Sequence, residues 1–151
     1  MNEELSKKLL DDFPRLYRNR NESSMQDGFV CGDGWFGLIY KLSQDIEEVA
    51  REGGLSPDSP EWPLCRQVKE KLGSLRFVVF AVEERLGIYE RISELRLAAL
   101  NRSFQTCEYC GQPGELVTDS CIATLCPECA KQASTQKIIS RNIPSHIQGE
   151  G

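Results

Sequence analysis

Four cysteines, Cys107, Cys110, Cys126 and Cys129, are spaced as C-x2-C, then fifteen residues, then C-x2-C. This spacing predicts one tetrahedral zinc site. Each C-x2-C lets two sulfurs from a single tight turn reach one ion, and zinc favours four thiolate ligands. Gly111 follows the first pair and Pro113-Gly114 bends the chain back. Pro127-Glu128 lies inside the second pair and is suited to open a helix. Cys129 would then sit in a first turn, where the positive end of the helix dipole favours a thiolate. Four thiolates close the coordination shell, so the expected cofactor, one Zn2+, is structural, with no open position for water or substrate. It would fold a stretch too short to bury a core of its own.

The remaining candidates carry less chemistry. Cys121 lies between the two pairs, but its C-x4-C spacing to Cys126 is poorer, and it reads as a small apolar filler. Cys31 and Cys65 read as core residues, because a catalytic cysteine needs a base and the single histidine, His146, sits in the tail. The segment GFVCGDGW (28–35) has neither the G-K-[ST] of a P-loop nor the spacing of a dinucleotide fingerprint. It reads as a glycine turn into a helix capped by Asp33, with Trp35 as a core anchor. Arg66, Lys69, Lys71 and Arg76, with Phe77 interleaved, form a basic run that could bind phosphates or an acidic partner surface, or be a plain solvated face. Arg96 falls within the apolar face of a helix. Either its stem lies on the core while the guanidinium reaches water, or it pairs with a carboxylate such as Asp33 or Glu70.

The elements that must position these residues follow from periodicity. Residues 2–12 predict a helix capped by Asn2, with Glu3 and Glu4 in its first turn, ended by Phe13-Pro14. Residues 17–30 read as a long polar connection. Trp35, Leu38, Ile39, Leu42, Ile46 and Val49 recur at three and four, predicting a helix over 34–52 that Gly53-Gly54 stops. Residues 60–72 admit two readings: a helix opening at Ser59-Pro60-Glu61, or a strand from Arg66 to Lys71 that turns at Gly73-Ser74. Leu75–Phe80, LRFVVF, is the strongest strand by β-branched and aromatic content. The hairpin is the favoured reading because it supplies that strand with a partner. A second long helix is expected over 83–104. Glu83 and Glu84 suit its start, Tyr89, Ile92, Leu95 and Ala99 its apolar face, and Leu86 and Leu100 the flanks. Residues 130–140 extend a last helix, and 141–151 form a disordered tail.

Composition bounds the class. The 151 residues are 40% hydrophobic and 27% charged, as in an ordinary globular protein. No apolar run approaches the roughly 20 residues that span a bilayer, and the acidic amphipathic N-terminus lacks the features of a secretory signal. A cytoplasmic protein without membrane association is the expectation, and metal binding is then the better reading of the C-terminal cysteines than disulfides. The net charge of −5 is uneven. Residues 65–104 hold eight basic and five acidic side chains, whereas 1–64 hold seven and thirteen, and 105–151 three and five. Any nucleic-acid footprint belongs to the middle segment, not to the acidic cysteine module.

FPRLY (13–17), GDGW (32–35), VKEKLGSLRF (68–77, as VKEK-x-G-x-LRF) and TCEYCGQPG (106–114) followed by TLCPECA (124–130) together resemble a group of small phage, prophage and bacterial proteins. The resemblance implies a C-terminal zinc module and a phage or bacterial origin, and it brings no activity, substrate or catalytic residue. Members of that group tend to carry a Trp shortly before the third ligand and often His as the fourth. Here Cys121-Ile122-Ala123 occupies the first stretch, and the fourth position is Cys129.

The expected architecture is α+β. Two long helices pack on a small antiparallel sheet within a core domain, 1–104, and a zinc ribbon-like or knuckle-like module, 105–140, follows. The expected function is that of a non-enzymatic, zinc-stabilised protein-binding factor, phage-encoded and modulating a host defence or transcription protein. Nucleic-acid binding through the basic 66–76 segment is the alternative, and an enzyme using Asp33 or Glu70 beside Arg96 the third reading. A homodimer through the edge of Leu75–Phe80 is also open.

Overall fold

In the computed structural model, residues 1–81, 85–119 and 121–141 are described. The elements are α1 (Glu3–Asp12), β1 (Phe29–Val30), α2 (Phe36–Glu52), β2 (Leu64–Lys71), β3 (Ser74–Phe80), α3 (Leu86–Ser103), β4 (Glu115–Val117), β5 (Ala123–Leu125) and α4 (Pro127–Arg141). The class is α+β, with a three-stranded sheet in the order β1-β2-β3 and a separate β4-β5 pair. Among the described residues no helix is long and apolar enough to cross a membrane.

The helix α1 forms as expected. The Asn2 side chain accepts from Leu5 N at 2.9 Å, and the N–H of Phe13 closes the last turn on Leu9 O at 3.0 Å. Residues 17–30 are not a polar connection. Tyr17, Met25 and Phe29 are buried, Tyr17 donates or accepts at Ser43 Oγ (2.7 Å), and its ring meets Phe29 edge-on. Two single-turn 3-10 helices carry this stretch into β1.

The hairpin reading of 60–72 holds, with β2 antiparallel to β3 through Val68↔Phe77 and Lys69↔Arg76. Its turn is Leu72-Gly73 rather than Gly73-Ser74, and both residues are left-handed, with φ of 52° and 80°. This is the handedness that two-residue hairpin loops require. The sheet is mixed rather than purely antiparallel, because β1 adds in parallel to β2 through Phe29↔Val68 and Val30↔Lys69.

The inner face of the sheet, with Val68, Leu75 and Phe77, packs under Trp35, Ile39 and Ile46 of the α2 region and Ile88 and Ile92 of α3. Full burial of each such side chain contributes about 1.5–3 kcal/mol. Ile88, not Tyr89, completes the α3 face, and Tyr89 is 41% exposed. The reason lies at Gly53, whose missing Cβ leaves the space that Ile88 Cδ1 fills, 2.4 Å from where that atom would stand. The expected start of this helix at Glu83-Glu84 lies outside the described residues, as do His146 and the tail beyond Arg141.

Helix α3 runs along the outer edge of β3. Ser103 Oγ accepts from Leu75 N (2.9 Å), and Arg96 Nε donates to Phe77 O (2.9 Å). Arg96 therefore serves a strand carbonyl, in place of the carboxylate partner Asp33 or Glu70.

Candidate metal centre

The first cysteine pair is held by its own backbone. Gly111 N donates to Cys107 O (2.9 Å) and Cys107 N to Gln112 O (2.7 Å), with Gly111 left-handed at φ 77°. The second pair rides on the β4-β5 hairpin, paired Glu115↔Leu125, Leu116↔Thr124 and Val117↔Ala123, which ends at Cys126. Pro127 then opens α4, where a missing N–H costs nothing. Cys126 acts as a thiol cap, its Sγ accepting from Cys129 N at 3.4 Å. A backbone bond, Glu108 N to Thr124 O (2.9 Å), ties the two halves together.

The sulfurs of Cys107, Cys110, Cys126 and Cys129 all lie within 4.8 Å of one another, and Cys110 and Cys126 are 3.6 Å apart. A tetrahedron with metal–sulfur bonds of 2.3 Å has sulfur–sulfur edges of about 3.8 Å. The four could therefore hold a metal ion, and a set of four thiolates suits a thiophilic one. Among the described residues this is the one such cluster.

Local electrostatics set how readily the thiols ionise. Burial works against ionisation of Cys107, yet the backbone amides of Cys126, Cys110 and Tyr109 bring its thiol down to about 7. At Cys110 the Gln112 amide favours the thiolate, but burial and the neighbouring thiols of Cys107 and Cys126 outweigh it and the thiol is raised. Cys129 is held well above the usual range, first by its hydrogen bond with the Cys126 sulfur and then by burial. Cys110 and Cys129 thus resist ionisation, and a dication held by the quartet would stabilise their thiolate forms.

The module docks on the core through the GDGW segment. Gly34 N donates to Glu108 O (2.8 Å), Gly32 N to Glu108 Oε1 (2.9 Å), and Trp35 Nε1 to Thr106 O (2.8 Å). The two glycines are needed for this contact. A Cβ at Gly34 would stand 2.2 Å from Cys107 O, and one at Gly32 2.3 Å from Glu108 O. Asp33 is accordingly not the cap of α2. Residues 33–35 form a 3-10 turn, the helix begins at Phe36, and Asp33 instead accepts from Asn2 N (2.7 Å) and Asn2 Nδ2 (2.8 Å). The start of the helix finds its acceptor in the Glu108 carbonyl. Burial raises the Glu108 carboxyl, which sequence reasoning did not single out because its partner is 76 residues away.

A second clasp sits at the hairpin tip. Thr124 Oγ1 donates to Gly73 O (2.6 Å), Glu70 Oε1 accepts from Gly73 N (2.8 Å), and Leu116 packs where a Cβ of Gly73 would be.

Cys121 lies outside the quartet and packs on the module's own apolar cluster. Cys31 and Cys65 are buried in the main core. Burial pushes the Cys31 thiol up to about 12 and raises Cys65 still further, so neither is a nucleophile at neutral pH.

The strand period places Lys69, Lys71 and Arg76 on the outer face of the sheet, and Arg66 joins them through the bulge between Cys65 and Gln67, which carries its guanidinium to Phe80; among the described residues none of the four is ion-paired. Phe77, expected beside them, points into the core and is 4% exposed. The apolar companions on the outer face are Val30 and Phe80, the latter 58% exposed with the Arg66 guanidinium 5.9 Å from its ring centre. Comparison with protein-family models, with curated proteins and with solved structures finds no match for this chain.

Proposed function

We propose that this chain is a non-enzymatic binding protein, stabilised by one zinc ion in the cysteine quartet, that presents the outer face of its sheet to an acidic surface of a protein partner. The observation that carries the reading is that face: Arg66, Lys69, Lys71 and Arg76 stand together beside exposed Phe80 and Val30, with no ion pair among the described residues. Unpaired cations around exposed apolar groups steer and select an oppositely charged partner. The motif resemblance supports a phage or bacterial setting, in which the partner is a host defence or transcription protein and the site of action the bacterial cytoplasm.

The metal's part is structural in this reading. A shell closed by four thiolates leaves no position for substrate. The candidate catalytic groups also have other duties: Asp33 holds Asn2, Glu70 holds the hairpin turn, and Arg96 holds Phe77 O.

The test is affinity capture from a bacterial lysate treated with nuclease, using tagged wild type and an Arg66→Glu/Lys69→Glu variant. A protein retained by wild type and lost from the variant is the expected result. Identical captures by both would overturn the reading. Recovery of nucleic acid alone, weakening steeply with salt, would transfer the face to the alternative of nucleic-acid binding. Metal analysis of freshly purified, reduced protein is expected to give one zinc per chain, and none would overturn that assignment.

A further inference from the structure

Beside the outer face, between β3 and α3, runs a groove of about 640 Å³. Leu72 stands at its hairpin end, Arg76 and Val78 on the sheet side, and Arg96, Leu97 and Phe104 on the helix side. Among the described residues its lining includes three cations, with Lys71 the third, and no carboxylate. Two of its leucines are unusually open to solvent: Leu72 is 62% exposed and Leu97 59%.

Leu72 is the odd residue. It occupies a left-handed backbone position, φ 52°, at a turn where Asn or Gly is the normal choice. A bulky side chain there is strained and, being exposed, gains no burial in return. A strained residue persists where the surroundings over-determine it, and such outliers gather at ligand-binding positions. The surroundings are the clasp on Gly73 by Thr124 and Glu70, which fixes the turn and with it the direction of Leu72.

We infer that this groove seats an acidic amphipathic segment of a protein partner, with Leu72 as the apolar anchor at one end. The inference rests on the reading of the outer face as a partner surface and names the chemistry of what binds there. Charge complementarity selects the occupant, since Lys71, Arg76 and Arg96 flank an apolar floor. The occupant's apolar side chains would lie on Leu97 and Phe104, with its carboxylates turned to the cations on the rim. A nucleic-acid strand fits less well, because the floor offers leucines where base stacking calls for a row of aromatic faces.

The experiment selects peptides from a random library on the zinc-loaded 151-residue chain and measures the winners by fluorescence anisotropy. Enriched peptides are expected to combine Asp or Glu with Leu, Ile or Phe. Leu72→Asn and Leu97→Asp should each weaken their binding by at least about tenfold. Leu72→Asn relieves the turn, so its melting temperature is expected to equal or exceed wild type, which separates lost binding from lost fold. The inference is overturned by enriched peptides without acidic residues, by binding indifferent to both leucine variants, or by a wild-type dimer that Leu97→Asp dissociates, which would make a second copy the occupant. Binding that survives both leucine substitutions but fails in Arg66→Glu/Lys69→Glu would sink the groove and leave the reading of the outer face standing. An oligothymidylate that competes with the peptide at low salt, and is weakened by Arg76→Glu, would give the groove to nucleic acid instead.

Discussion

Replacing Gly34 by alanine puts a methyl group where three backbone atoms already stand: Cys107 O at 2.2 Å, Gly111 N at 2.4 Å and Cys110 N at 2.7 Å. None belongs to a side chain that can swing away, so the whole first knuckle must back off from the start of α2. Relief to an ordinary contact needs a shift of about 1 Å, which stretches three bonds at once: Gly34 N to Glu108 O, Gly32 N to Glu108 Oε1, and Trp35 Nε1 to Thr106 O. At roughly 1 kcal/mol net for each neutral bond, and more for the one to a carboxylate, the loss comes to about 3–4 kcal/mol. For a chain of this size that lowers the melting temperature by roughly 6–16 °C. The assay is a thermal melt of the zinc-loaded protein beside Gly37→Ala as control. A Cβ at Gly37 meets nothing within 4 Å, and the position is helical, so alanine there should stabilise by about 0.5–1 kcal/mol. The reasoning fails if Gly34→Ala melts within 2 °C (~0.5 kcal/mol) of wild type, or if the two substitutions behave alike.

Cys126→Ser is expected to abolish metal binding measured by elemental analysis. By removing a term on the order of 10–16 kcal/mol, it should also expose the amides of β4 and β5 to rapid hydrogen exchange. Zinc affinity should rise with pH and be lost on acidification: Cys110 and Cys129, both raised, must each release a proton to bind, and these two alone give at least roughly a hundredfold per pH unit between pH 6 and 8 in a chelator competition. Phe77→Ala should cost about 3–5 kcal/mol as a core truncation, whereas Phe80→Ala should change stability by no more than about 0.5 kcal/mol and weaken partner capture. A denaturation curve on each and a pull-down with the second check both halves.

Local patterns told much of the fold. The period of 3.6 from Leu38 to Val49, the β-branched run LRFVVF and the C-x2-C pairs each reflect physics confined to a few neighbouring residues, and α2, β3 and the two knuckles follow them. What escaped is what neighbours do not decide. Gly32 and Gly34 look like a loose turn until Glu108 and Cys107 arrive from the far end of the chain. Asp33 has the chemistry of a helix cap, but the helix start is already served by a distant carbonyl, which frees the aspartate for Asn2. Tyr17, Met25 and Phe29 follow neither period, so their burial was hidden in a segment that counts as polar. Phe77 is an error of a different kind. Standing next to Arg76 in a strand places it on the opposite face, and the alternation that made LRFVVF a strand already excluded Phe77 from the basic surface.

The bonds that seat the cysteine module also set a timetable. Trp35 meets Thr106 across 71 positions, and Gly73 meets Thr124 across 51. At a synthesis rate of about 5–20 residues per second, the start of α2 waits roughly 4–14 s for the acceptor that completes it. Until Thr124 emerges the hairpin tip has only its local bond to Glu70, and the clasp behind the left-handed pose of Leu72 is half made. On the proposed zinc assignment, even the released chain is unfinished until the four sulfurs close on an ion. On that reading the supply of metal, as well as the rate of translation, sets how much of this protein is ready for the proposed partner.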